Sequence, residues 1–431
     1  MKTSLITVIS LVLPFILWGK LFPFPLAQDD YYLIAQAAFN SVSQQILSSL
    51  PNTDSIFFRP LGMQAYFYLT VRLFGLAAWK YRIIAILIHG INSILVYKIS
   101  QKMIKSGVVF VWLMYLMSPW QFAAIGWIVN ISYLTGALLA FLSILSALKQ
   151  KFKLSILFFA IGILMNELVV TVPMLIFLLS CLKNRLKLKP AISRVVPMFV
   201  ILGLYGIIRL RFPSASSGDY GFRVGANVVQ NIRWLLMWTL GWPETYKDQF
   251  ASLFNINKTF LSAFSGETFI FAVTSFLTLA VFLKSIKNHR LILLGTSWFL
   301  IALAPVIFFS SHIYPHYAAI AAVGLYLIIA DVLSQLPQQL RAVFVVLWAM
   351  QFIAGIKINL ATHWWPRHAL EAGRLITIIK NKYPSLPPDK NLMLEVNNPA
   401  QAELVLAGDS AVKLIYNDPD AKLCLNCYSE L

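Results

Sequence analysis

Charge is what this chain has least of. Charged residues make up 12% of its 431 residues, against 59% hydrophobic ones. A soluble domain carries about 25% charged residues, so composition excludes one. Acidic residues are scarcer still, 17 against 35 Lys and Arg, for a net charge of +18. In a soluble protein that excess would suggest nucleic acid. In a membrane chain it decorates cytoplasmic loops, and no nucleic-acid partner is expected. Cysteine is limited to Cys181, Cys424 and Cys427. Cys181 lies in an apolar run and reads as an inert core thiol. "CLNC" lacks the second CxxC that a zinc site usually brings; in an oxidising compartment its cysteines either pair or stay free. No solenoid-type repeat is present. No small-x-small cleavage signal follows the first apolar run, so it reads as an uncleaved helix.

Several apolar runs reach about 18 residues or more, and in lipid such runs must be helices. Eleven spans are expected, near 4–21, 82–99, 107–118, 122–147, 154–165, 168–182, 191–210, 265–283, 291–310, 316–334 and 341–360. With a cytoplasmic N-terminus, sixteen Lys and Arg fall on the inner side of this arrangement. The short outer loops "SPWQ", "MNEL" and "SSHIYPH" contain none, the expected positive-inside bias for a multi-pass plasma-membrane protein. The same parity divides residues 154–182 into two short crossings, because one long crossing would put either "KQKFK" or "KNRLKLK" outside. Glu167 then sits at an outer turn.

Two domains are expected: a membrane domain over 1–360 and a small α/β extracytoplasmic cap over 361–431. Within the first, the loop 22–80 holds an amphipathic interfacial helix, "YYLIAQAAFNSVSQQILSSL", and a second aromatic helix, "FRPLGMQAYFYLTVRLFG". The outer segment 211–264 holds an interfacial or re-entrant helix near 224–241, with Trp234, Trp238 and Trp242 at headgroup depth. In the cap, "HWWPRHALEAGRLITIIKNKY" reads as a helix, "NLMLEV" as a buried strand, and "AVKLIYNDPD" as a strand followed by a turn.

Three polar features remote in sequence thus share the outer face: Asp29 with Asp30, Glu167, and His312 with His316. Adjacent carboxylates serve as a solvated pair at a helix N-terminus, as ligands of a divalent cation, or as a general base with its support. An apolar setting raises a carboxylate's proton affinity, which suits a base near neutral pH. Arg59 and the histidines offer positive charge for a phosphate, and Arg clamps one bidentately.

"QDDYYLIAQ", "FFRPLGMQAYFYLTVRLFG", "AAIGWIVNISYLTGALLAFLSI", "ILMNELVVTVPMLI" and "SHIYPHYAAIAAVGLYL" follow one another through residues 5–335. In order and spacing they resemble the GT-C class of membrane glycosyltransferases, in particular bacterial relatives of the protein O-mannosyltransferases and aminoarabinose transferases. The resemblance implies an all-α polytopic fold. It also implies inverting transfer of a sugar from a polyprenyl-phosphate or pyrophosphate donor to a lipid, glycan or protein acceptor. It assigns Asp29 as base, Asp30 and Glu167 as further acidic site residues, and Arg59, His312, His316 and Tyr317 to the lipid phosphate. A divalent metal (Mg, Mn or Zn) on Asp29, Asp30 and Glu167 is a further implication. Two departures concern donor binding: Asn166 and His316 stand where the pattern has Lys and Arg. The rival reading is a transporter or flippase of lipid-linked or small solutes. Paired repeats would favour it, and none is found.

Overall fold

Without water to satisfy open N–H and C=O groups, the apolar runs fold as helices. In the computed structural model the described residues are 3–50, 57–182, 187–211, 220–250, 257–284 and 289–427. Eight of their helices are long and apolar enough to cross a membrane: Thr3–Leu21, Ala78–Met103, Val108–Gly126, Ile128–Leu148, Leu188–Arg209, Ser265–Leu283, Pro315–Gln335 and Gln338–Thr362. The chain is an all-α polytopic membrane protein. Phe152–Ile163, Glu167–Leu182 and His289–Leu303 are shorter apolar helices.

Pro315–Gln335 is the hub. Its "AAIAAVGLYLIIADVL" run is buried almost throughout. Small residues let neighbouring backbones approach, the usual basis of close helix crossing in lipid. At Gly295 and Gly324 an added Cβ would stand 2.4 Å from the other glycine's carbonyl oxygen. Tyr326 donates to the Thr239 carbonyl at 2.8 Å and accepts from Trp120 Nε1 at 3.2 Å. Thr3–Leu21, Leu188–Arg209 and Ser265–Leu283 lie outermost and expose apolar side chains.

Loops gather at two ends of the bundle. At one end Met103–Ser106, Leu182, Arg290 and Asp331 line a common pocket. At the other, hydrogen bonds join residues 22–30, 58–65, 126–133, 164–167, 223–231 and 307–309.

Several expectations change in detail. The span 122–147 is jointed: Phe122–Gly126, the turn Ile128–Asn130, then Ile131–Leu148. The interfacial helix of the first loop is two helices, Asp29–Phe39 and Val42–Leu47, because Ser41 and Gln44 form a capping box that starts the second. Ile46 and Leu47 are consequently exposed. Trp234 and Trp238 are buried, since their helix, Ala226–Thr239, packs on the hub. "AVKLIYNDPD" is not a strand. Ser410–Tyr416 is a helix closed by Asn417 in the left-handed conformation. Ala411 and Val412 are its buried residues. Asn391–Leu394 instead pairs in parallel with Lys422–Leu425, through the connecting helices Pro399–Leu406 and Ser410–Tyr416. Cys424, on the second strand, forms a disulfide with Cys427.

Candidate active site

The site begins with a loop that cannot satisfy itself. "FPFP" has two residues without N–H groups and makes no regular structure. Arg82, fully buried on Ala78–Met103, collects its carbonyls: Phe22 at 3.4 Å, Pro25 at 3.1 Å and Phe24 in a short contact. The same guanidinium donates to the Gly126 carbonyl at 2.9 Å, so loop and joint share one anchor. Asp30 completes the anchor from the other side. Its carboxylate accepts the N–H groups of Ala27 at 3.3 Å and Val129 at 3.1 Å. Burial pushes its pKa up to about 7, partly opposed by Arg82.

Asp29 does something different. Neighbours on a helix point about 100° apart, so Asp30 turns inward while Asp29 opens to the surface. Its side chain makes no hydrogen bond with any described residue. It nonetheless lies in a recess crowded by protein, and that desolvation raises its pKa. Burial raises the Tyr220 pKa, with smaller electrostatic contributions that include Arg59, which lowers it, and Asp29, which raises it.

Arg59 holds the second wall. Its Nε donates to Glu167 Oε2 at 2.6 Å, with Nη1 near Ser132 Oγ at 3.4 Å and Nη2 on the Tyr133 hydroxyl at 3.1 Å. Burial disfavours its charge, but Glu167 and Tyr133 together outweigh that and the pKa is raised. The helix starting at Pro60 packs on the turn 164–167, where Leu61 N–H reaches the Leu164 carbonyl at 3.1 Å. Tyr133 carries the wall onward, its ring 4.3 Å from that of buried His316 and 5.5 Å from that of Tyr317. His312 packs on Tyr220 at 3.7 Å. Two buried polar atoms here have no hydrogen-bond partner among the described residues: Glu167 Oε1 and His316 Nδ1. Orphaned buried polar atoms call for a reason, and both border this cluster.

The third wall was not foreseen. Glu244 accepts from His363 Nε2 at 3.0 Å and from Trp364 Nε1 at 3.2 Å. His363 Nδ1 accepts the Trp365 N–H at 3.1 Å, so the proton of the neutral imidazole resides on Nε2 and points at Glu244. The ring of Trp364 stands 4.9 Å from that of Trp127. His368 lies 2.7 Å from Gln28 Nε2, beside Asp29, and Gln28 N–H reaches the Val405 carbonyl at 2.9 Å. Residues 362–405 thus form part of the recess. "GWPETY" and "THWWPRH" carry no motif spacing; their one signal is a lone Glu and a Trp–His run in an acid-poor chain.

The sequence-derived set therefore divides. Arg59, Glu167, His316 and Tyr317 are contiguous through Tyr133, and His312 joins them through Tyr317 and stacks on Tyr220; Asp29 acts on Tyr220 only electrostatically. Asp30 is committed to backbone N–H groups. Arg59 is held by Glu167 rather than standing free for a phosphate. Among the described residues no three His, Cys, Asp or Glu side chains are placed to hold one metal ion. Asp30 is held by two backbone N–H groups and Glu167 Oε2 by Arg59, while Glu167 Oε1 has no hydrogen-bond partner among the described residues. Compared with known protein families, curated proteins and solved structures, the chain finds no match.

Proposed function

We propose that this protein is an inverting membrane glycosyltransferase of the GT-C kind, using a polyprenyl-phosphate-linked sugar. Asp29 carries the proposal: a carboxylate with no hydrogen bond to any described residue and a raised proton affinity, on the loop side of the bundle that also carries the Arg59, Tyr133 and His316 cluster. In the reaction Asp29 takes the proton of an acceptor hydroxyl as its oxygen bonds to the anomeric carbon. The bond from that carbon to the phosphate oxygen breaks, the phosphate leaves with the electron pair, and the centre inverts. Asp29 then returns the proton to solvent. Glu167 Oε1 and His316 Nδ1 are open to substrate hydroxyls, and Arg59 supplies positive potential from behind Tyr133.

The fuller topology belongs to the same reading. On this reading the three shorter apolar helices cross the membrane together with the eight long ones, and the two short crossings around Glu167 keep both basic clusters on the cytoplasmic side. The recess then faces outward, and residues 363–427 are an extracytoplasmic cap that walls it.

The test is Asp29→Asn in the full chain. Release of sugar from a radiolabelled polyprenyl-phosphate donor should fall about 10²–10⁴-fold, the usual range for loss of a general base. Thermal stability should be unchanged, because the side chain holds nothing. Undiminished turnover rejects Asp29 as the base, and absence of turnover in the parent protein with such donors rejects the reaction class.

A further inference from the structure

Outside the recess, a groove of about 600 Å³ runs between Thr3–Leu21 and Gln338–Thr362. Ile16, Leu17, Phe352, Ile353 and Ile356 give it an apolar floor, and Lys20 and Lys357 also line it. The two helices meet through the edge of Trp18 on Phe352, with centroids 5.3 Å apart. Exposed apolar stripes lead up to it on both sides: Leu5, Val8, Val12 and Ile16 on one helix, Val343, Val346, Met350 and Ile353 on the other. Such stripes face lipid in a membrane chain.

The two lysines are not equivalent. Lys357 is ion-paired with Glu267 across to Ser265–Lys284. Lys20 makes no hydrogen bond or ion pair with any described residue. Two lysines line the groove, and Glu267, from outside its lining, compensates one of them, leaving the positive charge of Lys20. A phosphodiester carries one negative charge. A zwitterionic lipid would bring its own cation against the lysines, so the charge favours an anionic headgroup. Lysines at the end of an apolar surface, their stems on hydrocarbon and their ammonium groups at headgroup depth, suit that contact.

We propose that this groove is a binding site for an anionic glycerophospholipid, with an acyl chain on the apolar floor and the phosphodiester between Lys20 and Lys357. Both walls continue directly into the recess: the chain after Lys20 becomes the loop that carries Asp29, and the chain after Lys357 becomes His363 and Trp364. A bound lipid therefore braces the two walls of the site against each other. This inference is independent of the reaction proposed above.

The test uses the full chain in neutral detergent, with thermal unfolding and native mass spectrometry as readouts. Added phosphatidylglycerol should raise the unfolding midpoint by several degrees and phosphatidylcholine by less, since a ligand of the native state stabilises by mass action. Lys20→Gln should leave the lipid-free midpoint unchanged and remove the preference for phosphatidylglycerol; Lys149→Gln, at the opposite end, should keep it. Equal stabilisation by the two lipids overturns the site, as does a preference that survives in Lys20→Gln. A long-chain polyprenyl phosphate that displaces phosphatidylglycerol reassigns the groove to the carrier. A lipid-independent dimer that Ile353→Arg dissociates reassigns it to a second copy of the chain.

Discussion

Arg59 and Glu167, separated by 107 residues of sequence, form an ion pair of 2.6 Å that joins the first loop to the turn between two short helices. Arg59 is 7% exposed and Glu167 24%. Removing one partner of a buried pair leaves an uncompensated charge, at a cost of about 3–5 kcal/mol. Water reaches Glu167, so the lower end applies. Arg59→Met should destabilise the protein by about 3 kcal/mol, and Arg59→Met with Glu167→Gln by less than the sum of the single changes. Chemical unfolding in detergent measures this cycle. Strict additivity would mean that the two groups do not act as a pair.

Asp30 makes stability depend on pH in a definite direction. Its pKa is about 7 in the folded protein and near 3.8 unfolded. Between those values the folded chain holds a proton that the unfolded chain has released. The contribution is therefore fully present below about pH 4, is lost as pH rises to about 7, and is constant above that. The unfolding midpoint of the parent should fall relative to Asp30→Asn across this window and run parallel to it above. A parent midpoint that rises relative to Asp30→Asn contradicts the assignment.

Gly62 is where the helix starting at Pro60 touches the turn that carries Glu167. An added Cβ would lie 2.2 Å from the Met165 carbonyl oxygen and 3.0 Å from Ser132 Cβ. Gly62→Ala should cost about 1–3 kcal/mol, as overpacking does, and lower activity by moving Arg59 off Glu167. Gly203→Ala is the control, because nothing lies within 4 Å of the added carbon. Equal midpoints for the two variants would refute the close contact at Gly62.

Glu244 receives two donors at once, His363 Nε2 and Trp364 Nε1. An amide has one acceptor oxygen, so Glu244→Gln must set an NH₂ group against one of those donors. The expected loss is about 1–3 kcal/mol, with detachment of the wall at 363–368. Protection of the Trp365 and His368 amides from hydrogen exchange should fall with it. Unchanged protection would show that Glu244 does not hold this wall.

Much of the membrane architecture was legible in the chain because its causes are local. A charge-poor run must be helical in lipid whatever it packs against. The basic clusters dictated that residues 154–182 break, and the structure breaks at Leu164–Asn166. Helix starts and joints were read less well. The capping box at Ser41 and the helix ending at Asn417 both lay within apolar patterns that fitted another element equally well.

By itself the sequence determined that the chain is built of apolar helices suited to lipid, and that its few acidic residues include the adjacent pair Asp29 and Asp30 at the start of a helix. Only the tertiary structure decided what each acid does. Two adjacent aspartates have the same chemistry but point about 100° apart on a helix. One accepts the N–H groups of Ala27 and Val129, and the other opens to the surface. Tertiary contact also supplied Glu244, His363 and His368. No spacing along the chain records that a loop at 244 and a helix starting at 364 meet, because that meeting is set by how the spans between them pack.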